Sequence, residues 1–162
     1  MPAVSHSSPL IFYAAIGRLE LLHGAFGEIF IPPAVWREVV EAGAGRAGAS
    51  EIAQEMWILQ RSPPSAVKSL PSLSVLDAGE AEAISLAMSF DPTIPIILDD
   101  LQARRAAEAF GLAVTGAGGV LVRAKRMGLI HSVEDLLTEL RSAGLYLGES
   151  AVARLLQLAG ER

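Results

Sequence analysis

Four acidic residues and one histidine are the groups in this 162-residue chain whose types and spacing suit chemistry. Asp99 and Asp100 stand together behind the apolar run PIIL, Glu80 opens the run GEAEAISLA, and Glu38 follows FIPPAVWR. His6 lies in SHSSPLI, just after a short apolar stretch. A hard cation such as Mg²⁺ takes oxygen ligands, usually one or two carboxylates with waters and substrate phosphate oxygens. Carboxylates drawn from separate segments are how a fold supplies them. Each group also has a structural explanation. Asp100 suits the N-cap of LQARRAAEAF, and Glu80 and Glu82 suit a first helical turn, where the helix dipole favours acids. Glu38 could pair with Arg37, and His6 could be a hydrogen-bonded residue at a strand end. Ser7 and Ser8 offer hydroxyls there, or form a turn or cap before Pro9. Asp99 is the hardest to explain away, because an unpaired charge at a buried strand edge is costly.

The elements that must position these groups alternate in type. Short apolar runs predict strands over 3–5, 28–31, 57–60, 95–98 and 113–115, each bounded by polar, Gly or Pro residues as strands buried on both faces are. Apolar positions at helical spacing predict helices over 9–16, 19–25, 33–41, 48–56, 79–88, 101–110, 118–127, 133–142 and 150–158. Pro33 fits a first helical turn, Ser132 an N-cap, and Gly111 and Gly128 helix ends. Gly-rich or Ser- and Pro-rich stretches predict loops over 41–49 and 62–74, and a further loop is predicted over 90–95. None is long enough to divide the chain, so residues 1–162 read as one α/β domain. Strands alternating with helices imply a parallel sheet covered on both faces, whose ligands bind beyond the carboxyl ends of the strands. Asp99, Asp100 and the His6-Ser7-Ser8 segment follow such ends.

Composition narrows the classes. Thirteen Lys and Arg against eighteen Asp and Glu give a net charge of −5, which argues against a general nucleic-acid coat. A local basic patch beside an acidic centre remains compatible with it, and Arg104, one turn past Asp100, is the first candidate. The remaining Arg and Lys residues suit solvated helix faces. Cysteine is absent, so disulfides and thiolate metal sites are excluded, in keeping with a reducing cytoplasm. The apolar run over 10–16 is too short to span a bilayer and has no basic segment before it, so a soluble cytoplasmic protein with no membrane partner is expected. Residues 115–119 (TGAGG) lack the last glycine of a dinucleotide-binding turn and read as a tight strand-to-helix turn. Trp36, Trp57, Tyr13 and Phe110 read as core. The segment from about 132 onward reads as two amphipathic helices that pack on the domain or form a dimer seam.

SHSSPLI, IPPAVWREVV, DAGEAEAISLA, IILDDLQARRAAEAFGLAVTG and GVLVRAKRMGLI occur in that order over nearly the whole chain. As an ordered set they resemble the PIN-like nuclease domains, in particular the VapC-like toxin branch of short prokaryotic proteins. The resemblance implies a three-layer α/β/α sandwich with a central, mainly parallel sheet. It also implies a Mg²⁺ or Mn²⁺ cofactor, an RNA substrate cleaved by metal-dependent endoribonuclease action, a homodimer and a small antitoxin that blocks the toxin. By position, Glu38 matches the second acidic motif, Glu80 the third and Asp99 the fourth, with Asp100 beside it as a further catalytic acid. The choice between Glu80 and Glu82, and between Asp99 and Asp100, stays open. His6 stands where the family most often has Asp. Imidazole is a good ligand for Mn²⁺ or Zn²⁺, a poor one for Mg²⁺, and does not neutralise the cation's charge. His6 therefore joins the metal set with Glu38, Glu80 and Asp99, and it motivates an alternative: a weakened or inactive PIN-like module that binds RNA or protein. Arg104, Ser7 and Ser8 are the expected RNA contacts.

Overall fold

Every apolar run read as a strand becomes one. The computed structural model describes residues 1–43, 45–46, 48–64 and 71–162. The strands are β1 (Ala3–Ser5), β2 (Ile29–Ile31), β3 (Ile58–Gln60), β4 (Ile96–Ile97) and β5 (Val114–Thr115). They form one sheet in the order β3-β2-β1-β4-β5, and every neighbouring pair is parallel. Val4 lies opposite Phe30 on one side and Ile96 on the other.

Because side chains alternate along a strand, the sheet faces two cores. Ala3, Ile29, Ile31, Ile58 and Ile97 enter one, while Val4, Phe30, Ile96 and Leu98 enter the other. Helices α1 (Ser7–Ala15), α2 (Glu20–Phe26), α3 (Pro33–Trp36) and α4 (Ala49–Gln54) cover the first face through residues such as Leu10, Leu22, Val35 and Ile52. Helices α5 (Ala78–Met88) and α6 (Leu101–Ala109) cover the second through Ile84, Leu86, Ala103 and Ala107. Helix α7 (Ala117–Arg126) returns to the first face, where α8 (Val133–Ser142) and α9 (Glu149–Leu158) pack on it through Leu137, Leu140 and Leu156. The result is the expected α/β/α sandwich.

This winding positions the site. The chain leaves β1 toward the first face and leaves the adjacent β4 toward the second. The crevice between those two strand ends is the topological switch point, where open α/β sheets bind ligands.

Several boundaries differ from the sequence reading. Helix α1 starts at Ser7 rather than Pro9, since a proline is tolerated anywhere in a first turn, where its missing N–H has no helical partner. The helix expected over 33–41 is α3 followed by a π-helical turn, Arg37–Glu41, closed by the Ala42 amide donating to the Arg37 carbonyl at 2.6 Å. Val35 and Val39 stay buried, and Arg37 and Glu38 face outward. Such turns are frequent at functional sites. Gly111 and Gly128 end α6 and α7 with φ of 80° and 79°, the left-handed geometry in which glycine carries no steric penalty. Of the expected loops, residues 65–70 of the second and residues 44 and 47 of the first lie outside the described residues. Near the C-terminus, Glu161 accepts from Lys125 Nζ at 2.9 Å and from the Val133 and Glu134 amides at 2.8 and 3.0 Å. It thereby ties α7 to the start of α8. Among the described residues no helix is long and apolar enough to cross a membrane.

Candidate metal centre

The His6 amide donates to the Ile97 carbonyl at 3.1 Å, fastening the β1 and β4 ends together at the switch point. The His6 side chain is buried, at 5% exposure, yet neither ring nitrogen has a hydrogen-bond partner among the described residues. The same holds for Ser7 Oγ and Asp99 Oδ2. Buried polar atoms without partners carry an uncompensated desolvation cost and are rare in folded proteins. His6 is therefore not the hydrogen-bonded strand-end residue of the structural explanation. Ser7 lies within the first turn of α1 and its hydroxyl caps nothing; Ser8 beside it is half-buried.

Asp99 is held from behind. Its Oδ1 accepts from the Ala117 amide at 2.8 Å, at the first residue of α7. A Cβ on Gly116 would stand 2.9 Å from that oxygen and 2.6 Å from Arg104 Nη1, so glycine is what lets this backbone come so close. The TGAGG segment is thus a tight strand-to-helix turn that fixes Asp99 and leaves Oδ2 unpartnered. Arg104 Nη1 donates to the Leu98 carbonyl at 3.1 Å. Asp100 has the capping role foreseen for it: Oδ2 accepts from the Ala103 amide at 2.9 Å, and the residue is exposed.

The second wall comes from the start of α5. Asp77 Oδ1 accepts from the Glu80 amide at 2.8 Å, and Glu80 Oε1 accepts from the Asp77 amide at 3.3 Å, a reciprocal capping box. Glu82, two positions on, turns to α3. Its Oε1 accepts from the Ala34 amide at 3.3 Å, and Arg37 Nη2 lies 3.8 Å from its Oε2. Arg37 is thus the partner of Glu82, and Glu38 makes no ion pair among the described residues.

Gly79 joins the walls. A Cβ there would meet Glu38 Oε2 and His6 Nε2, each at 3.1 Å, so the missing side chain leaves a cradle between a carboxylate and an imidazole. His6, Asp77 and Glu80 each offer a ligand atom, and these lie within 4.8 Å of one another. His6 Nε2 is 3.8 Å from Asp77 Oδ1. Glu38, Asp77 and Gly79 also line an open cavity of about 460 Å³. Asp77 was not singled out in the sequence, because D-x-x-E ahead of an apolar run reads as a helix cap and gives no separate sign of a ligand.

Burial lowers the His6 pKa below its ordinary value, against the pull of Asp77, Glu38, Asp99 and Asp100. The imidazole is therefore neutral at pH 7, the form that ligates metals. Burial, opposed by the Ala117 N–H and by Arg104, raises the pKa of Asp99. Burial and the neighbouring Asp77 carboxylate push Glu80 up to about 7.

A family model for the PIN domain matches residues 2–161. The chain belongs to the PIN-domain family. No curated protein and no solved structure matches significantly. PIN domains have a nuclease-type fold and generally use divalent metals. In this PIN domain the donor set fits such an ion: the lone-pair nitrogen of an unpartnered neutral imidazole, an unpartnered Asp99 oxygen, and a side-chain-free cradle at Gly79. His6, Asp77 and Glu80, whose ligand atoms lie within 4.8 Å of one another, would hold it, with Glu38 beside His6 at the Gly79 cradle and Asp99 near enough to His6 to act on its charge.

The raised pKa of Glu80 has a measurable consequence without metal. Unfolded Glu80 ionises near 4.5 and folded Glu80 near 7, so the fold loses stability as pH rises between about 4.5 and about 7. Below that window both states hold the proton, and above it the loss is complete. Glu80→Gln keeps the capping acceptor and removes the titration. Thermal melts in EDTA should show the variant gaining stability over the wild type across this window; a difference independent of pH would contradict the assignment.

Proposed function

We propose that this PIN domain is a metal-dependent endoribonuclease whose centre is the switch-point cluster. The observation that carries the reading is the buried, unpartnered His6 imidazole within ligand distance of Asp77 and Glu80 at the start of α5, with further unpartnered buried oxygens on Ser7 and Asp99 at the same strand ends. A divalent cation held there would lower the pKa of a coordinated water and offset charge on the attacked phosphate. The chain's own residues do the rest. Asp99, fixed by the Ala117 amide, and Glu38, opposite His6, would supply anionic oxygen ligands. Glu80, beside Asp77 at the start of α5, would serve as a further metal ligand or orient the attacking water, whose oxygen adds to phosphorus as the phosphodiester P–O bond breaks and the leaving oxygen takes a proton from solvent. Asp100 contributes chiefly as the cap that orients α6 behind Asp99. Carboxylates with one imidazole favour Mn²⁺ over Mg²⁺. The same reading makes the protein the cytoplasmic toxin of a toxin–antitoxin pair, a homodimer restrained by a small antitoxin protein.

His6 also motivates the second reading, a PIN module with weakened or lost catalysis that binds RNA or protein, because a neutral imidazole leaves the cation's charge less neutralised than an aspartate would. One assay separates the two. Purified protein with Mn²⁺ should cleave a mixed RNA pool, EDTA should stop it, and His6→Asp should shift the preference toward Mg²⁺. Absence of metal-dependent cleavage in the wild type, regained in His6→Asp, would decide for the weakened module.

A further inference from the structure

Tyr13, on α1, is wholly buried in the first core, and its hydroxyl donates to the Ala117 carbonyl at 2.7 Å, across 104 positions of sequence. A buried tyrosine hydroxyl needs some acceptor. The acceptor found here is the residue that also holds Asp99. The Ala117 amide donates to Asp99 Oδ1 at 2.8 Å. As the first residue of α7, Ala117 has an amide with no partner inside the helix, so the carboxylate can take it. Its carbonyl has a second lone pair beyond the one used by the helix, and Tyr13 takes that. One residue is thus held through both of its polar groups, by an acid of the proposed centre and by α1. On another side of the same turn, a Cβ on Gly118 would stand 2.5 Å from Leu155 Cδ1, so α9 also closes against it.

We infer that Tyr13 is a positioning residue of the metal centre, setting through Ala117 where Asp99 stands relative to His6. The inference rests on the metal-dependent reading of that centre. Helix α1 begins at Ser7, directly after His6, so whatever fixes α1 also fixes the His6 half of the site. The His6 amide ties β1 to β4 at the Ile97 carbonyl. The Tyr13 hydroxyl supplies a second tie, between the helix that follows His6 and the turn that holds Asp99. Burial, and after it the charge of Asp99, raise the Tyr13 pKa well above its ordinary value, so the hydroxyl stays a donor. Outer partners of this kind act by orienting a ligand rather than by touching the ion.

Tyr13→Phe keeps the ring in the core and removes only the donor. Two measurements on the full chain separate positioning from packing. In EDTA, the Ala117 amide proton, followed in ¹H–¹⁵N correlation spectra, should move upfield as its bond to Asp99 loosens. Mn²⁺ affinity by titration calorimetry should fall by roughly tenfold, the lower end of what outer partners of a metal site are worth. Ile52→Val, which trims the same core from α4, is the control. It should lower the melting temperature and leave both measurements at their wild-type values. If Tyr13→Phe leaves either measurement unchanged, Tyr13 is a core residue only and the metal centre stands without it. If Ile52→Val loses Mn²⁺ affinity as Tyr13→Phe does, the loss comes from a softened core and the inference fails. If the wild type binds no Mn²⁺, the metal-dependent reading and this inference fail together.

Discussion

Asp99→Asn should reduce metal-dependent RNA cleavage by about 10²–10³-fold while the protein stays folded. The substitution is close to isosteric. Asn keeps an oxygen that can accept from the Ala117 amide, the bond that now holds Asp99 at 2.8 Å, so the start of α7 remains anchored. What changes is Oδ2, the buried oxygen without a partner, which becomes an amide NH₂ that cannot ligate a cation. Because burial raises the Asp99 pKa, the metal-free variant should melt no lower than the wild type at neutral pH. Loss of activity with retained stability separates a ligand from a structural residue. Asp99→Ala is a poorer test, since it also strips the Ala117 amide of its acceptor.

The second large effect comes from adding atoms. Gly79→Ala places a methyl 3.1 Å from both Glu38 Oε2 and His6 Nε2. Gly79 lies in the first turn of α5, where alanine is favoured over glycine by up to about 1 kcal/mol. That gain opposes the cost of shifting Glu38 and His6 by a few tenths of an ångström, so the variant should stay folded with a stability within about 1 kcal/mol of the wild type. The methyl fills the cradle, however, and Mn²⁺ affinity should fall about 10–100-fold, the range seen when metal ligands are displaced or left unsupported. Titration calorimetry checks the affinity and thermal melts check the fold. A variant that binds Mn²⁺ normally would show that no ion sits between Glu38 and His6.

Much of this arrangement was legible in the sequence for a definite reason. Strands buried on both faces appear as short apolar runs, and in a parallel sheet the residues just past them collect at one edge. His6 and Asp99 were found that way. Glu38 and Glu80 followed from their position at the starts of helices, together with the ordered resemblance to PIN-like domains. Other features depended on packing that local pattern does not carry. Glu80 and Glu82 are two residues apart and so point to different sides of α5, but only the approach of α3 shows that Glu82 meets Ala34 and Arg37. Asp77 was hidden behind its role as a cap. Ser7 looked like a turn residue before Pro9, whereas it lies in the first turn of α1 with its hydroxyl buried and unpartnered, which local pattern does not show. The π turn over Arg37–Glu41 has no counterpart in the periodicity, which a continuous helix would satisfy equally well.

The central claim is that one divalent cation is held by His6, Glu38 and Asp99 with the start of α5. A crystal soaked in Mn²⁺ and measured for anomalous scattering tests it most directly. The account predicts a single strong peak at the switch point, coordinated by His6 Nε2, an Asp99 oxygen and at least one of Glu38, Asp77 and Glu80, and absent in Gly79→Ala. A fully soaked crystal with no peak there, or with manganese bound only at unrelated surface acids, would contradict it.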